Sequence, residues 1–347
     1  GNMARPLTNT KIILAERPRG KIVPEKVFKT VKEEIPALRQ NEVLVKTHYI
    51  SIDPAMRGWL RDVKSYIPPV QIGEVMRALT VGRIARSNNP KYAIGDWVSC
   101  GGGFQEYSRF SKPKDITPID AKNFSPTLYL GTLGMTGMTA YFGLLRVGKP
   151  KAGETVLVSG AAGATGSVVG QIAKIKGCRV VGIAGTDEKC KYLKEVLGFD
   201  AAINYKTCGD FNAAFRTACP KGIDVYFDNV GGDMLNAALR RLRRNARVVI
   251  CGAISQYNEE KAMQGPSNYL NLLVTRSTMT GFVVFDYAKD YHIAVADMGR
   301  WIQDGKMVNR EEIIHGLENA PSAINLLFSG KKRGKLVVKV ADDTARL

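Results

Sequence analysis

Hydrophobic and polar positions follow two different rhythms along the chain. Between about residues 11 and 120, short β-rich runs at 11–15, 42–49, 79–85, 97–100 and 106–111 are cut by Pro and Gly. Short strands at that spacing predict an antiparallel barrel or sandwich. From about residue 150 the period changes. Buried strands at 155–159, 179–184, 201–204, 224–227 and 246–251 alternate with helical repeats at 163–176, 187–197, 211–218 and 234–242. That alternation predicts βαβ units, hence a parallel sheet with helices on both faces. Further helical patterns cover 291–304 and 311–317, and the tail 334–340 returns to strand texture. The expected fold is α/β: a β-rich domain over 3–130 and 306–347, interrupted by a doubly wound domain over 131–305.

Composition narrows the class. Of 347 residues, 45% are hydrophobic and 24% charged, an ordinary globular balance. No apolar run approaches the ~20 residues that a membrane helix needs, so no membrane partner is expected. Gly1 and Asn2 read as an expression remnant ahead of Met3, with no leader-like stretch after it, and a cytoplasmic protein is the default expectation. Six cysteines are too few for a disulfide framework, and Cys100, Cys178, Cys190, Cys208, Cys219 and Cys251 lack metal-clasp spacing. His48, His292 and His315 are isolated, so no metal site is expected. Fifty Lys and Arg against 32 Asp and Glu give a net charge of +18, which points to acidic partners without naming one.

The most informative segment runs from Thr155 to Ala173. A buried strand enters a turn with Gly160, Gly163 and Gly166, and an apolar helix follows at once. Small residues let the backbone approach a pyrophosphate, to which the helix N-terminus offers free N–H groups and positive dipole. The spacing GxxGxxG departs from the strict GxGxxG, so strand, turn and helix in sequence carry the argument. About 20 residues on, where an NAD site places an acid, stands Gly185, followed by Thr186, Asp187, Glu188 and Lys189. Glycine leaves room for a 2′-phosphate and Lys189 can neutralise it, which favours NADPH. Asp187 is the competing signal, either as a ribose acid or as the helix N-cap.

Taken in order, these blocks resemble the zinc-independent medium-chain reductases that saturate activated double bonds, namely the leukotriene B4 12-hydroxydehydrogenase, prostaglandin reductase, alkenal reductase and curcumin reductase family. The likeness spans nearly the whole chain. It rests on Ser51-Ile-Asp53-Pro54-Ala55-Met56-Arg57, the segment from Leu133 to Tyr141, the glycine turn, Ile203-Asn204-Tyr205-Lys206, Tyr226 to Gly232, Cys251 to Asn258, and Gly281-Phe282-Val283-Val284. The resemblance implies a GroES-like β-barrel domain plus a Rossmann domain, NADPH, and a homodimer. It also implies that Gly163, Ala164, Thr165 and Gly166 hold the pyrophosphate, that Lys189 and Tyr205 meet the 2′-phosphate, and that Asn229 and the segment from Cys251 to Tyr257 flank the cofactor. Phe282, Val283 and Val284 would face the nicotinamide, while Pro54, Ala55 and Tyr257 would border the substrate. The zinc-dependent relatives' Gly-His-Glu segment has no counterpart here, since Gly73 is followed directly by Glu74.

The implied reaction is hydride transfer to the β-carbon of an enone or enal, followed by protonation of the α-carbon. Tyr257 is the expected catalytic residue, with two roles open: proton donation, or placement of the cofactor alone. Two positions depart from the family. Ala55 stands where a tyrosine is usual, which predicts room for bulky enones. Lys332 stands where asparagine is usual, either pairing with a cofactor phosphate or marking a lost contact. Quinone reduction at the same site is the near alternative, and nucleic-acid binding is the alternative from another class. The basic clusters at Arg240, Arg241, Arg243, Arg244 and Arg247 and at 331–335 lack interleaved aromatic residues, and the first is expected at a helix C-terminus, where cations suit the dipole. Nucleic acid is thus not the expected partner on sequence grounds.

Overall fold

A computed structural model describes residues 6–252, 257, 258 and 260–347. Met3 with the two residues before it, and Ser255 and Gln256 of the Cys251–Tyr257 block, lie outside these. The chain divides into two compact units, Gly1–Leu130 with Glu311–Leu347, and Gly131–Arg310.

The first unit is the β-rich, GroES-like half. Strands β1 (Thr8–Leu14) and β2 (Phe28–Glu34) form an antiparallel pair. The main sheet contains β3 (Val43–Ser51), β4 (Thr80–Ser87), β5 (Trp97–Cys100), β6 (Tyr107–Phe110) and β7 (Ile116–Pro118), with β14 (Glu311–His315) and β15 (Lys335–Lys339) returning from the C-terminus. Its order is β14-β15-β3-β4-β5-β7, with β6 also on β3. Strand β3 sits at the centre and is buried on both faces, which is why its sequence shows an apolar run rather than clean alternation. Ile50, Ile52, Met56, Leu60, Phe104 and Leu336 pack into the largest core of this unit, each worth roughly 1.5–3 kcal/mol of burial.

One sequence expectation fails here. The stretch 311–317 is not helical: Glu311–His315 is strand β14, paired in parallel with Lys335–Lys339. Two adjacent isoleucines fit either period, and hydrogen bonding to the edge of β15 decides for the strand. His315 is therefore an exposed strand residue.

The second unit is a Rossmann sheet. Strands β8 (Thr155–Val158), β9 (Arg179–Ala184), β10 (Ala201–Asn204), β11 (Ile223–Asp228), β12 (Leu242–Ile250) and β13 (Thr278–Gly281) are all parallel, in the order β10-β9-β8-β11-β12-β13. Helix Ala164–Ile175 buries Val168, Val169, Ile172 and Ala173. It lies close because Gly166 and Gly170 have no side chains: a Cβ at Gly166 would overlap the Gly160 carbonyl, and one at Gly170 the Phe199 ring.

The arginine cluster also differs from expectation. The helix before it is Gly232–Arg240, and β12 already starts at Leu242, so only Arg240 lies in the helix's last turn while Arg243 and Arg244 are strand residues. Arg247 turns inward onto Glu154, with both side chains 18% exposed, and also donates to the carbonyls of Gly148 and Lys149 at 2.8 and 3.0 Å. The unit ends at Arg310 because Val308 and Gln171 exchange hydrogen bonds of 2.7 and 3.0 Å and Arg310 covers the Tyr192 ring at 4.5 Å. Among the described residues, no helix is long and apolar enough to cross a membrane.

Candidate functional site

The six parallel strands of the Rossmann unit end on one edge, and the residues just past them form a row. Ser159 and Gly160 follow β8, Gly185 follows β9, Tyr205 follows β10, Asn229 follows β11, Cys251 follows β12 and Phe282 follows β13. Strand order reverses between β8 and β11, and the crevice outside such a switch point is where this architecture accepts ligands.

At the switch point, Gly160 adopts φ +57°, a left-handed conformation that glycine takes without strain. The turn then delivers Gly163 as N-cap of the twelve-residue helix Ala164–Ile175, and no side chain caps that helix. The first-turn N–H groups of Ala164, Thr165 and Gly166 thus face outward behind residues too small to obstruct an anion. A pyrophosphate fits this donor set. On the other side of the switch, Asn229 is locked to the turn. Its backbone N–H donates to Ser159 Oγ at 2.9 Å and its side-chain amide to the Ser159 carbonyl at 2.8 Å.

The β9–β10 corner is a second cluster. A Cβ at Gly185 would lie 3.0–3.2 Å from the Tyr205 ring, so glycine here is what lets the ring come down on the backbone. Tyr205 is 37% exposed, with the Lys206 ammonium 5.9 Å from its ring centre. The helix Asp187–Glu195 is capped by Thr186, whose hydroxyl accepts from the Lys189 N–H at 3.1 Å. Asp187 is therefore not the N-cap: it sits one position inside the helix, where its carboxylate accepts from Asn204 Nδ2 at 2.8 Å. The corner thus presents the Tyr205 ring over the Gly185 backbone, and Lys189 stands in the first turn of the helix that follows.

Under the row lies a polar hub that sequence reasoning missed. Asp228, 1% exposed, accepts on Oδ1 from Gly231 N at 2.9 Å, Val230 N and Ser159 Oγ at 3.2 Å, and Tyr226 OH at 3.3 Å. Burial raises its pKa, and these donors oppose the rise. The Asp228 backbone carbonyl also accepts from Cys251 and Gly252 at 3.0 and 3.1 Å, tying the end of β12 to the same point. An acid closing the apolar run of β11 was the available signal. Burial, and secondarily the Asp228 charge, pushes the Cys251 thiol up to about 12, so it is no thiolate nucleophile at neutral pH.

Tyr257 belongs to this neighbourhood: a Cβ on Gly252 would fall 2.6 Å from its hydroxyl. Phe282 packs against Gly143, where an added Cβ would fall 2.6 Å from its ring. The Val284 carbonyl accepts from Tyr291 OH at 3.0 Å, fixing the turn that carries Val283 and Val284. Pro54, Ala55 and Lys332 belong to the first unit. Pro54 and Ala55 open the short helix Ala55–Trp59, and Lys332 precedes β15. Among the described residues, no group of three or more His, Cys, Asp or Glu could hold a metal ion.

Known proteins match this chain along most of its length. The N-terminal domain of oxidoreductases matches residues 10–119, and the zinc-binding dehydrogenase domain matches residues 164–299. The NADPH-dependent curcumin reductase of Escherichia coli is 44% identical over 340 residues, covering 96% of this chain and 98% of its own. The tobacco NADP(+)-dependent 2-alkenal reductase is 44% identical over 313 residues, covering 90% and 91% respectively. The crystal structure of CurA from Vibrio vulnificus in complex with NADPH superposes with a TM-score of 0.90 at 43% identity, over 96% of this chain and 99% of that one. With identity at this level running through both units, the chain belongs to the medium-chain dehydrogenase/reductase family, in the branch that contains curcumin reductase, 2-alkenal reductase and prostaglandin reductase 1.

Proposed function

We propose that this protein is an NADPH-dependent reductase that saturates the α,β carbon–carbon double bond of enones and enals. The observation that carries the reading is the row of residues past six parallel strands. It joins an uncapped glycine turn, suited to a pyrophosphate, to a Gly185–Tyr205 corner followed by the helix that carries Lys189, residues that would suit a 2′-phosphate. The names of the relatives supply the substrate class.

NADPH, when bound, supplies a hydride to the substrate β-carbon. The chain's part is to bind, orient and move a proton. Gly163, Ala164, Thr165 and Gly166 would hold the pyrophosphate, and Gly185, Lys189 and Tyr205 the 2′-phosphate end. Asn229, Cys251, Phe282, Val283 and Val284 would line the nicotinamide end, with Lys332 a further candidate phosphate partner. Tyr257 would donate its phenolic hydrogen bond to the carbonyl oxygen as negative charge develops there, because a neutral O–H stabilises an enolate and can release a proton toward the α-carbon. Pro54 and Ala55 would border the substrate. The test is NADPH oxidation, followed at 340 nm, against enals, aryl enones, prostaglandin-type ketones and quinones. Turnover of enones with recovery of the saturated ketone supports the reading, whereas turnover confined to quinones replaces it.

A homodimer accompanies this reading. Strand β13 is an outer strand of the Rossmann sheet, and all four of its residues are exposed. Beside it, Leu273 and Val274 of helix Asn271–Thr275 are 73% and 65% exposed, an apolar edge suited to a second copy. Sedimentation velocity of the native chain and of Leu273→Glu tests it: the native chain should sediment as a dimer and the variant as a monomer.

A further inference from the structure

We propose that Asn204 is a cofactor-selectivity residue, holding the Asp187 carboxylate so that the β9–β10 corner can receive a 2′-phosphate. The inference rests on the NADPH reading and deepens it. Asp187 stands two residues past Gly185, in the stretch where an acid would select the 2′-hydroxyl of NAD over a phosphate. A carboxylate there opposes the charge that, on that reading, Lys189 and Tyr205 would accept. The chain keeps the acid but constrains it. Asn204 Nδ2 donates to Asp187 Oδ1 at 2.8 Å, while Asn204 Oδ1 accepts from the Lys206 backbone N–H at 3.0 Å.

The second bond makes the first directional. With the Lys206 N–H occupying the carbonyl oxygen, the amide can present only its NH2 to Asp187, so an N–H donor faces the carboxylate. One side chain thus couples the two segments that would bear the phosphate-binding groups. It joins the helix start after β9 to the Tyr205-Lys206 turn after β10. Asp187 is exposed and needs no partner for its own solvation, which argues for a role in direction rather than in burial. Released, the carboxylate is free to swing toward the 2′-phosphate, and repulsion between charges a few ångström apart in a solvated site weakens binding about fivefold.

The experiment is calorimetric titration of the native chain, Asn204→Ala, Asp187→Asn and the double variant with 2′,5′-ADP and with 5′-ADP. No turnover is involved. Asn204→Ala should bind 2′,5′-ADP about fivefold more weakly, with 5′-ADP changed by less than twofold, and the loss should shrink as salt is raised. Asp187→Asn should bind 2′,5′-ADP at least as well as the native chain, and adding Asn204→Ala to it should cost nothing further. Equal losses for both nucleotides, or a full loss in the double variant, would make Asn204 a structural tie and overturn the proposal. Asp187→Asn keeps the test open should Asn204→Ala fold poorly: weaker 2′,5′-ADP binding in that variant also refutes it. A native chain that binds 5′-ADP but not 2′,5′-ADP would instead overturn the NADPH reading, and this inference with it.

Discussion

The cluster at 331–335 contains one lysine that is not a surface charge. Lys335 is 4% exposed at its side chain, and its ammonium donates to Asp53 Oδ1 at 2.7 Å and to the Ile52 carbonyl at 3.1 Å. Asp53, 22% exposed, also accepts from Ser51 Oγ at 2.7 Å and immediately precedes Pro54 and Ala55. The two halves of this pair should not be equivalent. Asp53→Asn leaves a fully buried ammonium with only dipoles around it, at a cost of about 3 kcal/mol, the low end for breaking a buried pair because Asp53 keeps some solvent. Lys335→Met leaves a partly hydrated carboxylate that retains its serine hydroxyl, at a cost of about 1.5 kcal/mol. The double variant should cost less than the sum, since neither charge is then left alone. Trp59 and Trp97 lie in the same unit as the pair and Trp301 in the other. Urea unfolding followed by tryptophan emission in a Trp301→Phe background therefore reads the relevant unit. With a slope of about 2 kcal/mol/M, the midpoints should fall by roughly 1.5 M and 0.7 M. Single variants that both stay within about 0.5 kcal/mol of the native chain, or equal single losses that add fully, would refute the reasoning.

Other outcomes follow from the site. Tyr257→Phe should lower enone turnover at least tenfold while NADPH affinity, measured by cofactor fluorescence, stays within twofold; unchanged turnover removes the phenol from proton delivery. Ala55→Tyr should lower kcat/KM on bulky aryl enones relative to small enals, and equal ratios in both proteins would mean that position 55 does not border the substrate. Asp228→Asn can keep its carbonyl oxygen among the four donors and should cost under about 1 kcal/mol, whereas Asp228→Leu strands them and should cost several. The sign of the pH effect is fixed by the raised pKa of Asp228. Its contribution is fully present below the ordinary carboxylate pKa and lost as pH rises through the raised one. Asp228→Asn should therefore gain stability relative to the native chain as pH increases from 4 to 7, and the opposite trend in urea midpoints would contradict this.

Periodicity gave away the Rossmann unit because a strand buried on both faces and a helix buried on one leave different, long-lived patterns, as at 155–158 and 164–175. It failed at 311–315, where two isoleucines are too short a sample and a hydrogen-bonding partner twenty-four residues later decides the state. Glycines were legible as a group but not in their separate reasons. Gly160 is required by its backbone angle, Gly166 by the helix lying on the turn, and Gly185 by an aromatic ring that belongs to a different strand. The polar groups were hardest, because their meaning is pairwise. Asp187 alone reads equally as a cap or as a ribose acid; only the position of Asn204, seventeen residues on, shows what it is bonded to. The same holds for charge. Arg247 and Lys335 count toward the +18, yet they point inward at Glu154 and Asp53 and balance acids already in the sum. The excess cations therefore lie elsewhere. Two clusters that looked like candidate anion surfaces in the sequence each lend a member to the interior, which weakens the case for a nucleic-acid face built from them.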